Sequence, residues 1–250
     1  MVKQSKVFGK VSLWTKGLVL AGTVFVLGLS AAAGTAPFVT AHAGAMGTRA
    51  NTLESVKTLV KTGVDALELD VSRRPSGLPV IIHNSAPKET EGEPLEPVLE
   101  VLAASNKRFL VDFKCGDRAF RLNVARLVAK KGMGPRTIFP CGDQAMKDAF
   151  LAACPGSTIF VGGTLSATPT PAELAKLDRL AALKPWAYNT CFRQLSPVAA
   201  AAVTARGMRL SLWTANSSAT YDQCVKLGAY NVTTNWLPPE KVPASCPKTK

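Results

Sequence analysis

The 250-residue chain contains only two histidines, and both lie where a short apolar run ends. His42 directly follows the run 38–41, and His83 directly follows the run 79–82. Imidazole titrates near neutral pH, which suits a general acid or a general base. The competing interpretation is that each ring is a structural hydrogen-bonding group. Their common position at the ends of extended runs favours a catalytic pair.

Acidic residues lie in comparable places. Glu68 and Asp70 are two residues apart in the run 66–71, so both point to one face of a predicted strand. Asp112 and Lys114 share a face in the same way. Three converging carboxylates repel one another unless a cation joins them, and oxygen ligands favour Mg²⁺ or Ca²⁺. Such a cation would polarise a phosphoryl oxygen, while Lys114 would neutralise developing charge.

These residues belong to a chain in which short β-rich runs alternate with helical patterns, as in βα units around a parallel sheet. We therefore predict one α/β domain with a TIM-type (β/α)8 barrel, whose active site lies at the carboxyl ends of its strands. The predicted strands are 38–41, 66–71, 79–82, 109–113, 137–140, 158–161, 186–188, 210–213 and 230–233. The predicted helices are 52–61, 94–104, 117–131, 143–153, 171–183, 197–206 and 219–227.

Nine predicted strands are one more than an eight-stranded barrel needs. The segment between Asp70 and His83 contains the turn sequence Arg74-Pro75-Ser76-Gly77 and no helical pattern. It is short for a parallel crossover but suits an antiparallel hairpin. We therefore expect a β-hairpin excursion near residues 66–83, which would put His83 across from Asp70.

The first 36 residues are predicted to be separate from the barrel domain, which is assigned to residues 37–250. Four lysines precede an apolar stretch from Gly17 to Leu29, and small residues follow it. This order is typical of a secretory signal peptide. An uncleaved N-terminal membrane anchor is the alternative. Either interpretation predicts a secreted or extracytoplasmic domain.

Cysteine content and charge agree with export. An even number of cysteines in an exported chain suggests disulfides, and we expect Cys115–Cys141 and Cys224–Cys246. Without the four lysines of the N-terminal segment, the formal charge falls from +13 to +9. A basic domain suits phosphate esters or a membrane surface. Nucleic acid is not expected, because no Lys/Arg run is interleaved with aromatic residues.

Several motifs, in order along the chain, resemble the glycerophosphodiester phosphodiesterase family of the phospholipase-C-like phosphodiesterase superfamily. The resemblance implies a TIM barrel, an acid–base pair at His42 and His83, and a divalent-cation site at Glu68 and Asp70. Asp112 completes the expected metal site, and the expected substrate contacts are Lys114, Trp213 and Asn235, with Trp213 as a wall for a choline or apolar group. The matching segments are His42-Ala43-Gly44, Asn51-Thr52-Leu53-Glu54, 63–71, Gly77, 79–83, 213–216, and Gly228 through Thr234-Asn235.

The chain also departs from that pattern. The family has arginine, glutamate and aspartate where this sequence has Ala43, Ala50 and Asn84. The pattern Asp112-Phe113-Lys114, the short stretch before it and the Thr-Asn ending resemble sphingomyelinase D-type phospholipases instead. The expected function is metal-dependent hydrolysis of glycerophosphodiesters or lysophospholipids. The alternatives are a phospholipase D-type enzyme that forms a cyclic phosphate and an inactive barrel that binds phospholipid headgroups.

Overall fold

The computed structural model describes residues 36–242. The predicted signal segment lies outside the described residues, apart from Ala36, and so does Cys246. Within 36–242, no helix is long and apolar enough to cross a membrane.

Ten strands occur in the described residues, against nine predicted. The additional strand is a two-residue segment containing Pro94, a residue type that sequence patterns do not associate with strands. In order they are β1 (Phe38–Ala41), β2 (Ala66–Arg73), β3 (Pro79–Ile81), β4 (Glu93–Pro94), β5 (Arg108–Phe113), β6 (Thr137–Pro140), β7 (Thr158–Gly162), β8 (Tyr188–Cys191), β9 (Leu210–Ala215) and β10 (Ala229–Thr234).

Eight of the strands form a closed parallel ring, which confirms the predicted TIM-type barrel. The order around the ring is β1, β2, β5, β6, β7, β8, β9 and β10, and β10 pairs with β1 again. Closure leaves no exposed strand edge in the ring. The carboxyl ends of all eight strands therefore meet at one mouth.

The predicted hairpin is present outside the ring. β3 runs antiparallel to the end of β2, with Val71 paired to Ile81, and β4 adds a second antiparallel partner. The turn between β2 and β3 contains Gly77 at φ +90°, a conformation that favours glycine. The hairpin extends β2 beyond the barrel and returns the chain towards the mouth.

The seven predicted helices are all present, and their ends agree to within two residues. Several helices begin at a side chain that accepts a hydrogen bond from the first turn, among them Thr52 in α1, Asp117 in α3, Ser196 in α6 and Ser217 in α7. The helices are α1 (Leu53–Leu59), α2 (Leu95–Ala103), α3 (Arg118–Lys130), α4 (Gln144–Ala153), α5 (Pro171–Ala182), α6 (Pro197–Thr204) and α7 (Ser218–Lys226).

The strand predicted at 186–188 is shifted in the structure, where β8 begins only at Tyr188. Trp186 lies before the strand and packs edge-on against Phe38 and Tyr230. These rings belong to a small apolar cluster separate from the main core. The backbone of this run already pairs with β7, since the Trp186 N–H donates to the Ile159 carbonyl at 2.7 Å and the Ala187 carbonyl accepts from the Val161 N–H at 3.1 Å.

The expected Cys115–Cys141 disulfide is absent, and the five cysteines within residues 36–242 are free thiols. Cys115 follows β5 and Cys141 follows β6, but the Cys141 thiol donates to the carbonyl of Asp143 at 3.2 Å. The two cysteines therefore lie after neighbouring strands, on the same side of the barrel, but their sulfurs are not bonded to each other.

Candidate active site

A cavity of about 670 Å³ opens at the carboxyl ends of the barrel strands. It lies where active sites of this architecture are found. Seven of the eight residues predicted for the site line it, and Asn235 is the exception. The seven are His42, Glu68, Asp70, His83, Asp112, Lys114 and Trp213.

Three carboxylates converge on one side of the cavity. Asp70 and Asp112 are directly paired on β2 and β5, and Glu68 lies two residues earlier on the same face of β2. One oxygen from each of the three lies within 4.8 Å of the others. This spacing brings three hard oxygen ligands to one point, as a Mg²⁺ or Ca²⁺ site requires.

Asp70 is held from two directions. The Asn51 amide nitrogen donates to its Oδ2 at 2.6 Å, and Asn51 Oδ1 accepts from the Asp70 backbone N–H at 3.0 Å. Asn51 has φ +54°, a conformation that asparagine tolerates better than most residues. Asp70 is only 3% exposed, so its carboxylate depends on these contacts rather than on water.

Lys114 bridges two of the carboxylates. Its ammonium lies 2.8 Å from Asp70 Oδ1 and 2.7 Å from Asp112 Oδ2. Partial burial disfavours the charged amine, but hydrogen bonds to Asp112 and Asp70 outweigh it and raise the pKa of Lys114. The amine is therefore a fixed positive charge beside the carboxylates.

Glu68 is the least satisfied member of the cluster. Burial, and then the negative charges of Asp70 and Asp112, raise the pKa of Glu68 well above its ordinary value. Its Oε2 is buried and has no hydrogen-bond partner within residues 36–242. A buried oxygen without a partner is costly, and a bound cation would supply that partner and favour the ionised carboxylate. The cluster therefore fits a divalent cation.

His42 is oriented by a chain of amides behind it. Its Nδ1 lies 2.8 Å from Asn235 Oδ1, and the Asn235 amide nitrogen donates to Asn216 Oδ1 at 2.8 Å. A carbonyl oxygen only accepts, so this contact places the imidazole proton on Nδ1. The other nitrogen, Nε2, lies 3.7 Å from Glu68 Oε2. Asn235 thus contacts His42 instead of the cavity surface.

His83 is held less tightly than His42. The Ile82 backbone N–H donates to the Asp70 carbonyl at 3.0 Å, so Ile82, not His83, lies across from Asp70. His83 is one residue further along, exposed, and lines the cavity. Its side chain forms no hydrogen bond to any part of the chain that the structure describes.

Two features of the site were not predicted from the sequence: a set of hydrogen-bonded polar side chains inside the barrel, and a second positively charged side chain in the cavity. The Asn189 side chain, which lines the cavity, lies 2.8 Å from Ser211 Oγ, and Ser211 in turn accepts from Asn231. Arg121, near the start of α3, also lines the cavity. Its position in the first turn of the helix that follows Asp112-Phe113-Lys114 was the signal that could have identified it.

No protein-family model and no curated protein sequence matches the chain. Solved structures do match it. A glycerophosphodiester phosphodiesterase from Parabacteroides distasonis is 20% identical (TM-score 0.62), covering 80% of this chain and 92% of the other. An Oleispira antarctica phosphodiesterase in complex with the product sn-glycerol-3-phosphate is 17% identical, with a TM-score of 0.62 over 80% of this chain and 93% of the other. A Thermotoga maritima glycerophosphodiester phosphodiesterase is 16% identical, with a TM-score of 0.58 over 81% of this chain and 96% of the other. The chain therefore has the fold of the glycerophosphodiester phosphodiesterases.

Proposed function

We propose that this chain is a metal-dependent phosphodiesterase that hydrolyses glycerophosphodiesters or lysophospholipids. The observation that carries the proposal is one cavity lined by two histidines and three carboxylates whose oxygens converge within 4.8 Å. Phosphodiester cleavage needs a proton acceptor, a proton donor and positive charge beside the phosphoryl oxygens. This cavity contains residues for all three roles.

The chain's own residues suggest how protons move. His42 carries its proton on Nδ1, so its free Nε2 can take a proton from an attacking water. The water oxygen forms a bond to phosphorus as the bond to the leaving alcohol oxygen breaks. His83, in its protonated form, donates a proton to that leaving oxygen. Asn235 keeps His42 in the tautomer that this role requires.

Glu68, Asp70 and Asp112 would hold the divalent cation, Mg²⁺ or Ca²⁺. When bound, the cation would offset phosphoryl charge as a Lewis acid. Lys114 supplies a further positive charge next to Asp70 and Asp112. Asn51 keeps Asp70 in place.

Two observations support small phosphodiesters as substrates. The Oleispira antarctica phosphodiesterase was solved with sn-glycerol-3-phosphate as its product. The cavity of about 670 Å³ is within the usual range for small-molecule sites. Trp213, 40% exposed at the cavity wall, offers an apolar face to the part of the substrate beyond the phosphate.

A second reaction is favoured by the short connection between β3 and β5. This connection contains only β4 and α2 within residues 82–107, as the resemblance to sphingomyelinase D-type phospholipases implies, and a substrate of such an enzyme carries a hydroxyl near its phosphate. Attack by that hydroxyl, with His42 as the proton acceptor, would form a cyclic phosphate instead of a phosphomonoester. The same residues serve both reactions, and only the nucleophile differs.

The decisive test is a turnover assay on purified residues 37–250. Glycerophosphocholine, glycerophosphoserine, lysophosphatidylcholine and sphingomyelin are offered with Mg²⁺, with Ca²⁺ and with EDTA, and products are identified by phosphorus NMR. The proposal expects cleavage that EDTA abolishes. A phosphomonoester identifies hydrolysis, and a cyclic phosphate identifies the second reaction. Cation-dependent stabilisation without any cleavage would instead identify a headgroup-binding barrel.

We also propose that the domain acts outside the cytoplasm. The support is the order of lysines, apolar residues and small residues in the first 36 positions. Fractionation of cells that express the full chain tests this, because export predicts the protein in the extracytoplasmic or culture fraction. A chain of full length in the cytoplasm would contradict it.

A further inference from the structure

The cavity is lined by two permanently charged basic residues, and they differ in how they are used. Lys114 is paired with Asp70 and Asp112. Arg121 takes part in none of the ion pairs found among residues 36–242. A guanidinium without a carboxylate in a binding cavity is available to an anionic ligand.

Arg121 is held in place by contacts that leave most of its donors free. Its Nε donates to the Cys115 carbonyl at 3.2 Å, and its guanidinium carbon lies 5.4 Å from the centre of the Phe113 ring. The side chain is half-buried. A guanidinium has five donors, and only the Nε–H is bonded within the part of the chain described here. The two terminal nitrogens can therefore form a bidentate contact.

The position of Arg121 separates it from the metal cluster. Its backbone lies in the first turn of α3, after β5 has ended, and its anchor Cys115 follows Lys114. Asp112 lies in β5, and Lys114 directly follows the last residue of that strand. Arg121 therefore reaches the cavity from α3 rather than from the strand that carries Asp112, and it forms no ion pair with the three carboxylates.

The charges of the proposed reaction leave Arg121 unassigned. A divalent cation and Lys114 together balance the three carboxylates. No other carboxylate among the described residues lines the cavity, so none is left to pair with Arg121. A substrate with a second negative group would neutralise it, whereas a choline cation would be repelled.

We propose that Arg121 binds a second anionic group of the substrate, a carboxylate or a phosphate, beyond the scissile phosphodiester. This inference rests on the phosphodiesterase function proposed above and narrows its substrate class. The chain prefers phosphodiesters that carry an additional negative charge over those with a neutral or cationic alcohol.

The test compares substrates that differ by one anionic group. Glycerophosphoserine differs from glycerophosphoethanolamine by a carboxylate, and a glycerophosphoinositol phosphate differs from glycerophosphoinositol by a phosphate. The wild-type chain should favour the more anionic member by about tenfold in kcat/KM, as expected for one charge-assisted contact. Arg121→Gln should bring the ratio close to one, chiefly by slowing the more anionic member. Whichever pair shows the effect identifies the carboxylate or the phosphate.

Arg118→Gln is the matched control. Arg118 lies in the same first turn of α3, is exposed and does not line the cavity. This variant should keep the wild-type ratio, and thermal unfolding of both variants checks that they fold. Equal loss on both members of a pair in Arg121→Gln would overturn the inference, because Arg121 would then serve the shared phosphodiester. A wild-type ratio near one would also overturn it.

Failure of the proposed function would be distinguishable. If the wild-type chain cleaves none of the four compounds, dissociation constants for the same pairs are measured by calorimetry. Tighter binding of the more anionic member, lost in Arg121→Gln and kept in Arg118→Gln, would support the anion site in a chain without turnover. Equal binding of both members would exclude it.

Discussion

Asn51 holds the Asp70 carboxylate and the Asp70 backbone N–H at the same time, with contacts of 2.6 and 3.0 Å. One amide therefore fixes both the strand and the side chain of a candidate metal ligand. Loss of a group that orients a metal ligand typically lowers metal affinity by about 10- to 100-fold. Replacement of Asn51 should therefore weaken cation binding in a chain that still folds.

The first prediction follows from that contact. Asn51→Gly removes the amide but keeps a residue that tolerates φ +54°. Affinity for Mg²⁺ or Ca²⁺, measured by calorimetry, should fall by about 10- to 100-fold. Asn123→Ala, which changes an exposed asparagine on α3, should titrate as the wild type does. An unchanged cation affinity in Asn51→Gly would mean that Asp70 is not a ligand of the cation.

Lys114 should have opposite effects on cation binding and on catalysis. Its ammonium lies within 2.8 Å of two carboxylates that would bind a cation, so it opposes the cation electrostatically. Lys114→Met should therefore tighten cation binding by about tenfold or more. Turnover should nevertheless fall by roughly 100-fold, because a charge beside the phosphoryl group is lost.

Lys131→Met is the control for this variant, since Lys131 also bridges two carboxylates, Glu96 and Glu100, away from the cavity. Calorimetry gives the cation affinity, and the turnover assay gives the rate. Weaker cation binding in Lys114→Met would mean that the amine helps to assemble the site rather than competing within it.

The Asn235–His42 contact predicts a change in pH dependence. In Asn235→Asp, a carboxylate would lie beside Nδ1 and stabilise the doubly protonated imidazole. A base must be free of its second proton, so the acidic limb of the rate–pH profile should move to higher pH by about one unit. Asn216→Asp should cause a smaller shift, because Asn216 is hydrogen-bonded to Asn235 and not to the imidazole ring. Superimposable profiles for Asn235→Asp and wild type would remove His42 from the role of base.

Tyr188 connects the stability of the barrel to the cavity wall. Its hydroxyl donates to the carbonyl of Gly163 at 3.1 Å, and burial raises the pKa of Tyr188 to about 12. Because the folded pKa exceeds the unfolded value of about 10, this stabilisation is complete below pH 10 and is lost as pH rises to 12. The unfolding free energies of wild type and Tyr188→Phe should therefore converge over that range. A constant difference, in denaturant titrations at several pH values, would contradict this.

Hydrophobic periodicity was enough to predict the barrel and most of its boundaries. β1 and β6 have the predicted limits, because buried parallel strands appear as short apolar runs between helix caps and glycines. β8 begins later than predicted, although Trp186 already donates its backbone N–H to β7, and the Trp186 ring is buried by packing against Phe38 and Tyr230. Periodicity reports burial, not the kind of contact that causes it.

The site was harder to predict, because its supporting contacts join residues far apart in the chain. The alternation of Glu68 and Asp70 was visible in the sequence, and so was Asp112. By contrast, the contact between His42 and Asn235 spans 193 positions, and the contact of Asn51 with Asp70 joins the residue before the Thr52 helix cap to a barrel strand. Side chains that orient other side chains leave no periodic pattern. They could be identified only after the strands were in register.

The central claim is that His42 and His83 act as one acid–base pair. The most direct measurement is kcat for His42→Ala, His83→Ala and the double variant on the best substrate found, with saturating cation and with thermal unfolding to check folding. Each single variant should lose about 100-fold or more, and the double variant should be little worse than either, since residues acting as a unit are not additive. Wild-type rates in both single variants would contradict the claim.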